Sequence, residues 1–150
     1  MTNEYRYTEC GLDNVIIEGA RMVIDDAGED VVCISNVASL HRAIAYAIIS
    51  HAQGMSGEEL RFLRTELGYT QDELAEILSV TRLTIGRWER GQTSIDAQAE
   101  FIIRMLTAEK LEIDIGMSVE EMAKRCGWRA ERTEIRIDGS DPANYRPLAA

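Results

Sequence analysis

The stretch Tyr69-Thr-Gln-Asp-Glu-Leu-Ala-Glu-Ile-Leu-Ser-Val-Thr-Arg-Leu-Thr-Ile-Gly-Arg-Trp-Glu-Arg-Gly91 decides the fold. Thr70-Gln71-Asp72-Glu73 has the form of a capping box: the Thr hydroxyl accepts the N–H three residues on, and the Glu carboxylate returns to the Thr N–H. Leu74, Ala75, Ile77 and Leu78 then recur at helical spacing. Thr81 opens a second short helix, with Ile85 and Trp88 inward and Gly91 as its stop. Only Ser79-Val80 lies between the two, which forces a sharp crossing. Ala75 is small where the helices must approach. Val80 and Ile85 fill the angle between them, and Trp88 pins the second helix to the core.

Working outward, Ser56-Gly57-Glu58-Glu59 is another capping box, followed by Leu60, Leu63 and Leu67 on one face and a stop at Gly68. Ser94 or Asp96 opens a further helix striped by Ala99, Ile102, Ile103 and Leu106. Upstream, Val15-Ile16-Ile17 is a short apolar run. Met22-Val23-Ile24 and Val31-Val32-Cys33-Ile34 flank an Asp/Gly-rich turn, a hairpin signal. Ser35 or Asn36 can cap a helix carrying Leu40, Ile44, Ala47 and Ile48, expected to end near Gln53-Gly54. Downstream, Ser118-Val-Glu-Glu121 starts a short helix with Met122 and Cys126. Thr133 to Ile137 alternates like a strand with one buried face, Gly139-Ser-Asp-Pro142 breaks it, and residues 143–150 read as frayed.

The expected class is mainly α, α+β overall: a five-helix helix-turn-helix domain preceded by a small α/β segment of hairpin plus helix. The expected boundaries are 1–54 for the α/β segment, 55–116 for the helix-turn-helix domain, and 117–150 for a C-terminal helix, short strand and tail.

Composition fits this. The chain has 150 residues, 45% hydrophobic and 28% charged, with 16 Lys+Arg against 26 Asp+Glu for a net charge of −10. A chain of this size buries roughly 68–70% of its unfolded surface and needs no covalent or metal staple. Its longest apolar runs, such as Ala43 to Ile49, fall well short of the ~20 residues of a membrane span. The first residues lack the apolar core of a signal peptide, so the expected location is cytoplasmic. The three cysteines, Cys10, Cys33 and Cys126, are widely spaced and give no disulfide framework. The acid is spread over the chain, with net −5 in residues 1–54, −2 in 55–95 and −3 in 96–150. Such a balance argues against a non-specific nucleic-acid coat, yet Thr81 to Thr93 carries three Arg against one Glu.

Residues 69–91 resemble the Cro/phage-repressor type of helix-turn-helix, the Xre family. Thr70-Gln71, Leu74-Ala75, Thr84-Ile85, Trp88-Glu89 and Gly91 match its pattern in register, and Ser79 stands where Gly is usual in the turn. Residues 55–108 fit the whole domain. Tyr7-Thr-Glu-Cys-Gly-Leu-Asp-Asn-Val15, Leu40-His-Arg-Ala-Ile44 and Glu59-Leu-Arg-Phe-Leu-Arg64 add a looser resemblance to regulators related to MqsA-type antitoxins. Zinc-binding members carry two C-x-x-C pairs in that region. Only Cys10 is present here, so their zinc is not carried over.

The second helix of the motif is then the candidate for the major groove, with its N-terminal residues at base edges. Arg82 can donate two hydrogen bonds to guanine, worth ~1–3 kcal/mol of discrimination. Leu83 can meet a thymine methyl, Thr84 offers a hydroxyl and a methyl, and Arg87 lies on the same outward face. Gln71 and Thr81, at helix N-termini, are candidate phosphate contacts, as are Arg90, Gln92 and Thr93 beyond the helix. Trp88 is expected in the core, Glu89 in a structural ion pair or cap, and Arg61 and Arg64 on a solvated face or in internal ion pairs. Tyr5, Tyr7 and Tyr46 read as core or rim.

No metal site, cofactor or catalytic group is expected. His41 and His51 do not share a helical face, the cysteines lack ligand spacing, and no nucleophile–base arrangement or phosphate-cradling loop is present. The expected function is a sequence-specific DNA-binding transcriptional regulator acting on double-stranded DNA as a homodimer, a repressor rather than an enzyme. The alternative is an antitoxin-like interaction module whose residues 1–54 neutralise a toxin-like protein and which autoregulates its operon.

Overall fold

The computed structural model describes residues 4–127 and 133–148. The chain divides into two compact units, residues 1–47 with 133–150, and residues 48–132.

The first unit is built on a four-stranded sheet in the order β1-β2-β5-β6. β1 (Glu4–Arg6) runs antiparallel to β2 (Val15–Glu18), β2 parallel to β5 (Ile135–Asp138), and β5 antiparallel to β6 (Arg146–Pro147). Val15, Ile16 and Ile17 are all buried, as an apolar run covered on both faces requires. In β5 only Ile135 and Ile137 are buried, which is the alternation read from the sequence. Gly139 lets the chain turn against Ile17, since a Cβ there would lie 2.3 Å from Ile17 Cγ2. A separate hairpin pairs β3 (Arg21–Ile24) with β4 (Asp30–Cys33). Its turn is fastened by Asp25, whose Oδ1 accepts the N–H of Ala27 and Glu29, each at 2.9 Å.

α1 (Val37–Ile49) follows. Asn36 does not cap it through its side chain. Its backbone is left-handed at φ 59°, and its amide donates instead to the Pro142 carbonyl at 3.1 Å. Residues 143–148 are likewise not frayed. Tyr145 is buried and donates to the Ser35 carbonyl at 2.6 Å, and the next two residues form β6. Residues 149–150 lie outside the described residues. Tyr7 is buried, with its hydroxyl 2.8 Å from His41 Nε2.

The second unit is helical: α2 (Gly57–Leu67), α3 (Gln71–Leu78), α4 (Arg82–Glu89), α5 (Ala97–Lys110) and α6 (Val119–Arg125). Each begins on a side-chain cap, from Ser56, Thr70, Thr81, Asp96 and Ser118. Leu60, Leu63, Leu74, Ile85, Ile103 and Met122 form its core.

Three further expectations are corrected. α1 stops at Ile49 rather than near Gln53-Gly54. The carbonyls of Ile49, His51 and Gln53 are taken by the Arg104 guanidinium at 3.1, 2.8 and 2.8 Å, so the chain leaves the helix without orphaned acceptors. The buried stripe of α5 is Ala99, Glu100, Ile103, Arg104, Thr107 and Ala108, while Ile102 is exposed and Leu106 half-buried. Leu67 is only half-buried, and Phe62 takes a buried place on α2 instead.

Candidate nucleic-acid interface

α3 and α4 form the corner read from residues 69–91. Thr70 and Glu73 make the reciprocal capping box, with Thr70 N–H to Glu73 Oε1 at 3.0 Å and Glu73 N–H to Thr70 Oγ1 at 3.1 Å. Those bonds to Thr70 hold the Glu73 carboxyl below its ordinary range. α3 ends at Ser79, left-handed at φ 57°, and Val80 N–H closes back on the Ala75 carbonyl at 3.0 Å. Thr81 caps α4 by accepting the Thr84 N–H at 3.2 Å, and the two hydroxyls lie 3.0 Å apart.

α4 is strongly two-faced. Ile85, Gly86 and Trp88 are buried, whereas Arg82, Leu83 and Arg87 are exposed and Thr84 is half-buried. Leu83 is 56% exposed, an apolar side chain held in water at the start of the helix. Arg82 lies 3.9 Å from Asp72 Oδ2, with both side chains largely in solvent. Such a pair is weak in water and yields readily to a competing acceptor. Arg90, Gln92 and Thr93 continue the exposed surface past the helix, with Arg90 Nη2 3.5 Å from Gln92 Oε1.

The opposite side of α4 is fixed by Glu89. Its carboxylate accepts Arg64 Nε at 2.7 Å and Arg64 Nη2 at 3.1 Å, a two-pronged pair with the Glu89 side chain only 5% exposed. It also accepts Gln71 Nε2 at 3.1 Å. Arg64 Nη1 donates further to the Tyr69 carbonyl at 2.9 Å. One carboxylate thus ties α2, the start of α3 and the end of α4 together. Gln71 is turned toward this knot through one amide hydrogen and remains half-buried at the N-terminus of α3.

Gly57 is the residue of this framework that the sequence did not single out. A Cβ there would fall 2.1 Å from the Trp88 carbonyl oxygen and 2.8 Å from that of Glu89, so only Gly lets α2 start against the end of α4. Its place inside a capping box concealed this second role. The buried Glu100–Arg104 pair, 3.3 Å apart, was also missed. Its one outward sign is a charged i,i+4 pair on the core-facing side of α5.

Among the described residues, no three His, Cys, Asp or Glu side chains converge as a metal site would require. His41 meets Tyr7, and His51 Nδ1 accepts the Gln53 N–H at 3.0 Å. Burial and the neighbouring Glu100 carboxylate push the Cys126 thiol up to about 12, which favours its protonated form. No described helix is long and apolar enough to cross a membrane.

Comparison with known proteins agrees with this geometry. The family model described as Helix-turn-helix matches residues 60–99. The SPbeta prophage-derived uncharacterized HTH-type transcriptional regulator YonR of Bacillus subtilis (strain 168) is 31% identical over 84 residues, covering 56% of this chain and 70% of that protein. No solved structure gives a significant match.

Proposed function

Because the chain belongs to the helix-turn-helix family of DNA-binding transcriptional regulators, of Xre/Cro type, we propose that it acts as a dimeric cytoplasmic repressor that inserts α4 into the major groove. The observation that carries this reading is the two-faced α4. Arg82, Leu83 and Arg87 stand exposed on a helix whose other side is locked by Ile85, Trp88 and the Glu89 knot. Rigid support of this kind lets a few side chains read base edges. Arg82 and Arg87 are assigned to guanine edges, Leu83 and the Thr84 methyl to thymine methyls. Gln71, Thr81, Arg90, Gln92 and Thr93 flank them as phosphate contacts. Gln71 uses the amide N–H that its bond to Glu89 does not occupy, and the Thr81 site uses the positive end of α4. One such helix reads only a few base pairs, so two copies on half-sites about one helical turn apart are expected. Repression then follows from occupying the DNA, with no chemistry by the protein.

The test is a mobility shift against the DNA upstream of the protein's own gene, with random DNA as competitor at near-physiological salt. A shift that survives competition is expected. Arg82→Ala should cost about 1–3 kcal/mol of discrimination at one base position and leave the weaker, salt-sensitive binding. Unchanged specificity would sink its role as a base reader. A chain that binds no DNA specifically but co-purifies a small basic protein through residues 1–54 would favour the antitoxin-like reading instead.

A further inference from the structure

Among the described residues, the β3–β4 hairpin is a two-stranded sheet with no strand on either outer edge. Ribbons of this length are marginal alone in water, and this one leaves apolar surface open. Met22 is 41% exposed, Ile24 72% and Val31 36%. Neither Pro nor Lys blunts β3, although these are common protections of a free edge. The hydrogen-bond phase of the hairpin defines what that edge offers. Asp25 N–H donates to the Glu29 carbonyl at 2.9 Å. In the same register Val23 lies opposite Val31, and Arg21 opposite Cys33. Inward-bonded positions alternate with positions whose N–H and C=O point away. Met22 and Ile24 are therefore the β3 residues that present backbone groups to the outside.

We propose that the β3 edge pairs antiparallel with the β3 edge of a second copy about a two-fold axis at Val23, so that two hairpins form one four-stranded sheet. The register follows from three requirements met together. It sets the outward backbone groups of Met22 opposite those of Ile24 of the second copy, twice over by symmetry. It covers apolar side chains with apolar ones on the same face. It also sets Arg21 opposite Asp25 of the second copy, giving two ion pairs. A parallel arrangement would place the two Arg21 side chains together. The β4 edge meets these requirements less well: the equivalent two-fold at Val31 would set Asp30 opposite Val32, and one at Cys33 would set Val31 opposite Ser35, neither with an ion pair. This inference rests on the dimeric reading above and names the surface that joins the copies. The edge is shorter than the interfaces of about 1,200–2,000 Å² typical of stable complexes. Pairing should therefore strengthen when both copies occupy neighbouring half-sites.

Directly opposed residues at the non-hydrogen-bonded positions of such a pair have Cα atoms about 4.5 Å apart, within the reach of a disulfide. In a background with Cys10, Cys33 and Cys126 replaced by Ser, Val23→Cys should form an intermolecular disulfide at least tenfold faster than Ile24→Cys or Val31→Cys. Only position 23 meets itself. Adding Arg21→Glu should slow the Val23→Cys reaction tenfold or more. Equal rates at the three positions, or no effect of Arg21→Glu, would overturn the proposal. A second measurement keeps the natural cysteines: amide exchange at Met22 and Ile24 should slow with rising protein concentration, and concentration-independent exchange there would also overturn it. Specific DNA binding without the Val23 cross-link would defeat this surface and leave the DNA reading standing. A cross-linked dimer without specific DNA binding would do the reverse.

Discussion

The two units of this chain differ in how far their parts travel to meet. In the helical unit, α2 to α6 each start on a cap that accepts an amide only three residues onward. In the sheet unit, the central pairing joins Val15 to Ile135 and Glu18 to Asp138, across most of the chain. Contacts of the first kind form early and independently, whereas the second kind must close a long loop before any gain. Charge follows the same division. The sheet unit has five basic residues against eleven acidic, the helical unit eleven against fifteen. One arginine, Arg136, gathers Glu4, Glu18 and Glu134 on the sheet. On the helical unit Arg82 and Arg87 instead stand exposed on α4, Arg82 with only the weak pair to Asp72.

Arg104 is a pronounced exception to locality in the helical unit, and its removal is the largest expected effect. It is fully buried, pairs with Glu100 and donates to carbonyls more than fifty positions earlier in the chain. A buried pair of this kind adds little over an apolar pair, but breaking it strands a charge. Arg104→Ala would leave the Glu100 carboxylate without its cation and three carbonyls without a donor. A loss of about 3–5 kcal/mol is expected in urea unfolding. If the two units are independent, amide exchange in β2 and β5 should stay slow while that of α5 collapses. Equal acceleration in both would show that the units unfold together.

Each unit also contains a glycine at which two segments of backbone and core come too close for any side chain. Gly57→Ala would drive a Cβ to 2.1 Å from the Trp88 carbonyl oxygen, and Gly139→Ala to 2.3 Å from Ile17 Cγ2. Overpacking of this order costs about 1–3 kcal/mol. The functional outcomes should diverge. Gly57→Ala displaces the end of α4 and is expected to weaken specific DNA binding as well as stability. Gly139→Ala is expected to lower stability alone. A Gly139→Ala chain that lost DNA binding at unchanged folded fraction would mean that the sheet unit takes part in reading DNA.

This contrast also governs how much was legible beforehand. The capping boxes at Ser56 and Thr70, the inward Ile85 and Trp88 and the two faces of α4 were open to reading because their causes lie within a few residues. The hairpin turn was legible for the same reason, since Asp25 fastens it locally. The parallel partner of β2 was not, because nothing near Val15 names Ile135. The burial of Tyr145 was hidden too, since its acceptor, the Ser35 carbonyl, lies in a distant part of the chain. At the candidate interface the exposed positions were legible. The bond from Gln71 to Glu89 was not, because it depends on how α3 and α4 cross.

The smallest expected effect concerns the left-handed residues. Ser79 adopts φ 57° in the helical unit and Asn36 φ 59° in the sheet unit, both without the freedom of glycine. A non-glycine residue in this region carries a steric cost of roughly 1–2 kcal/mol. Glycine removes that cost but gives back about 0.5–1 kcal/mol through its greater unfolded freedom. The Ser79 side chain makes no hydrogen bond among the described contacts, so Ser79→Gly should gain about 0.5–1 kcal/mol. The gain should appear as a higher urea midpoint at unchanged slope, with DNA affinity unaltered because the turn geometry is kept. Asn36→Gly relieves the same strain but forfeits the bond to the Pro142 carbonyl. An intramolecular hydrogen bond is worth about 0.5–1.5 kcal/mol net, so this second change should show no gain. Equal gains at both positions would mean that the Asn36 contact contributes nothing to closing the sheet unit.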